Sequence, residues 1–145
     1  MRPLILAAAL LFAPVAAAAA ATPDTTIKAQ AHAFLRPCST DRCFAGARVF
    51  TRDYLLAIHG SASHQLRVAQ WFGGPFPQVV APNGRQFCAW LWIYVDRVGA
   101  ETLSSSLSTS ANSCDNLPAA AHARVWRRYQ TLRREIAAVT AHDAR

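Results

Sequence analysis

The chain has 145 residues and four cysteines, with 15 lysine or arginine residues against 8 acidic ones. Its length fits one domain, and the scarcity and spacing of its acidic residues give no support for paired-carboxylate glycoside hydrolysis. The net charge of +7 favours anionic partners, such as an acidic protein or an anionic surface.

Residues 1–21 have the pattern of a cleaved secretory signal peptide. Arg2 supplies the positive start, residues 4–15 form an apolar stretch, and residues 16–21 are alanines that offer an A-x-A cleavage site. The apolar stretch is shorter than the roughly 20 residues of a membrane span. We therefore predict a periplasmic or secreted protein in which residues 22–145 form a single small globular domain with no transmembrane segment. Loss of Arg2 leaves a net charge of +6.

An even number of cysteines in a small exported chain predicts a disulfide framework. Of the three pairings that four cysteines allow, we favour Cys38 with Cys43 and Cys88 with Cys114. A four-thiolate zinc site is the competing alternative, but Cys-x4-Cys is wider than the close pair that zinc sites use. We predict disulfides, no metal and no cofactor.

The first half of the domain shows one short helix and then a pattern that alternates. Residues 27–35 favour a helix that Pro37 ends. Residues 48–72 alternate with a period of two, since Tyr54, Leu56 and Ile58 share one strand face, and this predicts a β-hairpin. A helical alternative remains, with Asp53 and Ser63 as N-caps.

The second half contains the strongest strand signal in the chain. Asn83-Gly84 is typical of a hairpin turn, and residues 85–96 are apolar on both faces, which predicts a central strand covered on both sides. The Ser-rich residues 103–113 predict a surface loop. From Pro118 onward, an apolar stripe at helical spacing predicts a long helix.

These elements together predict an α+β fold, an antiparallel sheet of about four strands with the long C-terminal helix packed on one face and with disulfides stabilising it. The exposed faces of that helix carry the densest charge cluster in the chain. Five arginines against a single glutamate leave little internal charge pairing, so the cluster is either a solvated helix face or a docking strip for an anionic surface or an acidic partner. Such a strip would include Arg124, Arg127, Arg128 and Arg134.

The segment Cys38-Ser39-Thr40-Asp41-Arg42-Cys43, followed by a predicted hairpin, resembles a loop of the periplasmic inhibitors of vertebrate-type lysozymes. In that family a disulfide-closed loop of six residues plugs the active cleft of the enzyme. The resemblance covers this loop alone, and the loop here lacks the histidine of the family. It implies a loop-plug contact, to which Asp41 and Arg42 would contribute.

A catalytic alternative rests on two histidines. A hairpin loop between His59 and His64 would place their rings opposite each other, and with Arg67 nearby a secreted hydrolase of the ribonuclease type is conceivable. No G-x-S-x-G, H-E-x-x-H or phosphate-cradling glycine motif occurs. We therefore favour a non-catalytic binding protein of the envelope over an enzyme. It would act as an inhibitor or immunity-type protein, or as an accessory component of a secretion or conjugation machine, with a protein partner favoured over nucleic acid.

Overall fold

A computed structural model describes residues 23–145, and this part of the chain is helical. Six α-helices follow one another: α1 (Pro23–His32), α2 (Asp41–Ile58), α3 (Ala62–Gly73), α4 (Gly84–Val98), α5 (Ser105–Asp115) and α6 (Ala119–Asp143). The β pairing within these residues is one isolated antiparallel bridge between Leu35 and Val80. The predicted α+β fold with an antiparallel sheet is therefore wrong. The predicted signal peptide, residues 1–21, lies outside the described residues.

Helix α2 replaces the first strand of the predicted hairpin over residues 48–72. Its buried positions are spaced by three and four residues, which is the period of a helix face: Phe50, Asp53, Tyr54, Ala57 and Ile58. Because a buried aspartate falls inside this stripe, the apolar pattern resembles alternation. The helix begins after Thr40, whose side chain accepts a hydrogen bond from the Cys43 amide at 3.2 Å.

Helix α3 replaces the second predicted strand. Its buried side chains also follow helical spacing, with Gln65, Val68, Ala69 and Phe72 on the inner face. The helix ends at Gly74, where φ is +104°, a left-handed conformation that glycine adopts at little cost.

Helix α4 occupies the predicted central strand. Asn83 does not form a hairpin turn, since its side chain caps the helix by accepting a hydrogen bond from the Gln86 amide at 3.1 Å. A segment that is apolar on both strand faces is also apolar around most of a helix, and α4 is buried on several sides. The prediction was right about centrality and wrong about secondary structure.

Helix α5 occupies the predicted Ser-rich loop. Three of its hydroxyls donate to carbonyl oxygens one turn earlier, such as Ser113 to Thr109 at 2.9 Å. Its inner face buries Ala111 and Cys114, with Leu107 packed against the core. These three residues are spaced by four and three positions, so they form one apolar face that packs against α4 although α5 is polar in composition.

The core lies where α2, α3, α4 and α6 meet. Its largest fully buried side chains are aromatic. Trp90 packs edge to face with Tyr54 at a ring-centroid distance of 5.5 Å, and Phe72 packs in the same way with Phe50 at 5.8 Å. The C-terminal helix is confirmed as α6. It packs on α4 and α2 rather than on a sheet, through Val125, Tyr129 and Leu132.

Both predicted disulfides are confirmed. Cys38 and Cys43 are bonded, with their Cα atoms 5.4 Å apart, and close the segment that leads into α2. Cys88 and Cys114 are bonded, with their Cα atoms 5.5 Å apart, and join α4 to α5. The second bond therefore ties α4, which buries six of its residues, to α5, which buries two.

Candidate binding cleft

A cleft of about 530 Å³ lies between α1, α6 and the start of α4, with Tyr54 of α2 at its base. We call it the arginine-lined cleft, because four guanidinium groups line it: those of Arg85, Arg124, Arg127 and Arg128. The three from α6 share one helix face, since their spacings are three and four residues. Arg85 joins them from the first turn of α4, where the free amides of a helix start add partial positive charge.

Arg128 is the least exposed of the four arginines and is held by three hydrogen-bond acceptors. Its Nε donates to Gln86 Oε1 at 3.1 Å, and its Nη2 donates to the Tyr54 hydroxyl at 3.2 Å. Its Nη1 donates to Glu135 Oε1 at 3.4 Å, and 18% of the Arg128 side chain is exposed. Arg128 is therefore part of a fixed polar network that shapes the cleft.

Tyr54 remains a neutral hydroxyl in this network. Burial raises the pKa of Tyr54 above its ordinary value, and the Glu135 charge acts in the same direction. The positive charge of Arg128 and its hydrogen bond oppose that rise without cancelling it. Arg128 thus donates to a protonated phenol at the base of the cleft.

The other three arginines of the cleft are exposed and have no carboxylate partner within the part of the chain that the structure describes. Arg85, Arg124 and Arg127 take part in none of the ion pairs formed among residues 23–145. Among the described residues, the one carboxylate in the cleft lining belongs to Glu135 and is already paired with Arg128. The cleft therefore has an excess of positive charge that a bound anion would offset.

Gln86 adds an amide side chain to the lining of the cleft. Its side chain is buried, at 3% exposure, and its Oε1 atom accepts from Arg128. The Gln86 side chain therefore helps to hold the Arg128 guanidinium in place at the wall of the cleft.

The predicted contact residues do not all reach this cleft. Arg124, Arg127 and Arg128 line it, whereas Arg134 does not. Asp41 and Arg42 are exposed in the first turn of α2, beside the Cys38–Cys43 bond, and line no part of it. The predicted contact set therefore divides between the cleft and the disulfide-closed turn.

The two histidines of the catalytic alternative, His59 and His64, form hydrogen bonds with different partners. His59 Nδ1 lies 2.6 Å from an Asp143 carboxylate oxygen, and its Nε2 lies 2.9 Å from Asp24 Oδ1. His64 Nδ1 lies 2.7 Å from the Ser61 hydroxyl oxygen, in the first turn of α3. The hairpin that would place the two rings opposite each other is replaced by two helices, so the ribonuclease-type hypothesis loses the geometry on which it was based.

Sequence reasoning missed Arg85, Gln86 and Tyr54 as members of the site. The strand prediction for residues 85–96 placed Arg85 and Gln86 on opposite faces, beside a hairpin turn. A helical interpretation with Asn83 as its cap would have brought them to the start of a helix. The signal was therefore present in the Asn83 cap, but the burial of Tyr54 gave no sign of its contact with Arg128.

Among residues 23–145, no group of three or more His, Cys, Asp or Glu side chains is arranged to hold a metal ion. No helix in the same range combines the length and apolarity that crossing a membrane requires. Comparisons with known protein families, curated proteins and solved structures find no match to this chain.

Proposed function

We propose that this protein is an exported, non-catalytic binding protein that holds an acidic segment of an envelope protein in the arginine-lined cleft. The observation that carries the proposal is the convergence of Arg85, Arg124 and Arg127 on one cleft, where none of them has a carboxylate partner among residues 23–145. Such a partner would be a protein that this one inhibits or neutralises, or a component of a secretion or conjugation machine.

The chemistry of the lining supports binding rather than acid–base catalysis. Guanidinium groups remain protonated at any physiological pH, so they recognise carboxylates without exchanging protons. The carboxylate of Glu135 is paired with Arg128 and is therefore not positioned as a free base. The hydroxyl of Thr131 and the amide of Gln86 add hydrogen-bonding groups to the same lining.

The length of the cleft supports a peptide segment as the ligand. Its α6 lining extends from Arg124 to Glu135, a rise of about 16 Å along the helix axis. An extended segment of about five residues covers that distance. Phe34 and Ala33 give the opposite wall an apolar character, which suits side chains that lie between acidic residues.

Two of these arginines lie on one rigid helix and the third lies at the start of another. This backbone arrangement is already in place before binding, so it lowers the entropy cost of ordering the site around a ligand. Bidentate guanidinium–carboxylate contacts add specificity for the geometry of the acidic residues. The net positive charge of the protein would also accelerate encounter with an acidic partner, and salt would weaken this effect.

The test is capture of partners from native periplasm, followed by mass spectrometry, with a matched charge control. One variant carries Arg85→Gln, Arg124→Gln and Arg127→Gln. The control carries the same three charge changes at exposed arginines away from the cleft, Arg36→Gln, Arg97→Gln and Arg145→Gln. We expect the cleft variant to lose a partner that the wild type and the control both retain.

A synthetic peptide of five alternating Glu and Leu residues provides a defined probe for the same comparison. We expect its affinity to fall about tenfold or more in the cleft variant and to change little in the control. Equal losses in both triple variants would show a general effect of charge and would reject the cleft as the site.

The disulfide-closed turn is tested separately because it lies outside the cleft. A variant with Asp41→Asn and Arg42→Gln keeps the Cys38–Cys43 bond and the helix cap at Thr40. If this variant loses the partner while the cleft triple variant keeps it, the turn is the contact surface and the cleft proposal is wrong.

A further inference from the structure

A second concave surface lies on the other side of α1 from the arginine-lined cleft. Gln30 of α1 faces that cleft, whereas Lys28 and His32 of the same helix line a groove of about 500 Å³ against α2. We call it the α1–α2 groove. Its volume lies within the range of about 300–1,000 Å³ that is usual for small-molecule sites.

The groove has an apolar surface. Leu35, Ala47 and Leu55 line it while packing against the core, so their positions are fixed by the fold. Phe44 forms part of the wall and is 50% exposed, although most large hydrophobic side chains of residues 23–145 are buried. A ligand with an alkyl chain would remove this apolar surface from water.

The groove also carries positive charge. Arg48 and Arg52 are one helical turn apart on α2, and Lys28 faces them from α1. None of the three takes part in an ion pair within the described range. Among residues 23–145, no aspartate or glutamate lines the groove.

We propose that the α1–α2 groove binds a single-chain anionic amphiphile, namely a long-chain fatty acid. The alkyl chain would lie along Leu35, Ala47 and Leu55, and the carboxylate would pair with Arg48 and Arg52. The complementarity is twofold, because an apolar surface and unpaired cations occur in one groove. This site is separate from the arginine-lined cleft and does not depend on the function proposed for it.

The concave shape of the groove favours a single molecule over a membrane surface. An amphipathic helix that lies on a membrane presents a convex apolar face to the lipid. Here three of the apolar groups lie inside a groove, with cations on both sides of it. Binding to anionic vesicles alone is therefore a result that would contradict the proposal.

The experiment is calorimetric titration of the purified protein with dodecanoate below its micelle-forming concentration. We expect saturable binding of one dodecanoate per protein. Dodecyltrimethylammonium has the same chain with the opposite charge, and hexanoate has the same charge with a shorter chain. We expect both to bind at least about tenfold more weakly.

Two variants test the position of the ligand. Arg48→Gln with Arg52→Gln should weaken dodecanoate binding by about tenfold or more, because it removes the charge partners of the carboxylate. Ala47→Phe should weaken it by filling the groove. The matched control, Arg124→Gln with Arg127→Gln, removes two charges from the arginine-lined cleft and should leave the affinity unchanged.

Four results would overturn the proposal. These are no binding of dodecanoate, equal binding of the cationic amphiphile, loss of binding in the Arg124 and Arg127 variant but not in the Arg48 and Arg52 variant, and binding to phosphatidylglycerol vesicles without binding of monomeric dodecanoate. The third would move the anion to the arginine-lined cleft, and the fourth would identify a membrane surface. Partner capture is measured separately, so failure of either proposal leaves the other testable.

Discussion

His59 Nδ1 lies 2.6 Å from an Asp143 carboxylate oxygen, a contact between residues 84 positions apart in the chain. The other ring nitrogen of His59 lies 2.9 Å from Asp24 Oδ1. One imidazole at the end of α2 therefore joins the first turn of α1 to the last turn of α6. A histidine between two carboxylates is most stable when it carries both ring protons, so this junction depends on pH.

We expect the protein to become less stable at alkaline pH, because the junction around His59 then loses its stabilising contribution. Partial burial lowers the pKa of His59, but the hydrogen bonds to Asp143 and Asp24, with their charges, raise it above its ordinary value of about 6.5. The folded state thus binds the proton more tightly than the unfolded chain. This contribution is fully present below about pH 6.5 and is lost as the pH rises through the higher folded pKa.

Urea unfolding of the wild type and of His59→Asn at about pH 5.5 and about pH 8.5 measures this contribution. The free energy of unfolding of the wild type should fall by about 0.5–1 kcal/mol more than that of the variant over this interval. His32→Asn is the control, since His32 forms no ion pair with an aspartate or glutamate in the described part of the chain. A wild type and a His59→Asn variant with parallel pH dependences would contradict the assignment.

Sequence reasoning predicted the helices at the two ends of the domain and favoured strands or a loop over the helices between them. The C-terminal helix was predictable because its apolar stripe is regular and its other faces are charged. The buried face of α2 could not be recognised from the sequence, because it includes Asp53, and an aspartate counts as polar in a hydrophobic pattern. Helix α5 was predicted to be a loop for a related reason. Its serine and threonine hydroxyls suggest a solvated loop, but in the structure they donate hydrogen bonds to backbone carbonyl oxygens of the same helix.

The site was predictable only where its residues share one helix. Arg124, Arg127 and Arg128 form a visible cluster in the sequence, and helical spacing places them on one face. Arg85 and Gln86 reach the same cleft through tertiary packing of α4 on α6, which no local pattern encodes. The contact between His59 and Asp143 is of the same kind, because it depends on where two helices end.

Arg128 should differ from its neighbours in its effect on stability. Arg128→Leu leaves the buried Gln86 side chain and the partly buried Glu135 carboxylate without their donor, so we expect a loss of about 1–3 kcal/mol in the free energy of unfolding. Arg124→Leu, at an exposed arginine of the same helix, should change it by less than about 0.5 kcal/mol.

Adding Glu135→Leu to Arg128→Leu should restore part of the lost stability, because it removes the carboxylate left without a charge partner. Chemical unfolding of the three variants makes the comparison. Equal effects of Arg128→Leu and Arg124→Leu would show that the network at the base of the cleft contributes nothing to the fold.

Asp53 and Trp71 should be energetically coupled across α2 and α3. The Trp71 indole donates to Asp53 Oδ2 at 3.0 Å, and Asp53 is only 3% exposed. Arg67 and His64 lie 3.7 and 3.8 Å from the other carboxylate oxygen. We expect Asp53→Ala to cost about 1–3 kcal/mol, since it leaves the indole N–H without an acceptor.

A double-mutant cycle with Asp53→Ala and Trp71→Phe measures the coupling by urea unfolding. Its value should be about 1 kcal/mol or more, because the hydrogen bond is to a charged group. Asp41→Ala provides the control at an exposed carboxylate. Additive effects of the two changes would show that the hydrogen bond does not stabilise the packing of α2 on α3.

The two disulfides should contribute unequally to stability. The Cys88–Cys114 bond spans 26 residues and the Cys38–Cys43 bond spans 5, so the first restricts the unfolded chain more. In the loop-entropy model the first contributes about 3.5 kcal/mol and the second about 2 kcal/mol. Replacing each pair with serine and measuring urea unfolding tests the order.

Because α5 has a polar composition and packs mainly against α4, we also expect loss of the longer bond to increase amide hydrogen exchange in α5 first. Equal destabilisation by the two serine pairs, or unchanged exchange in α5, would contradict this role for the Cys88–Cys114 bond.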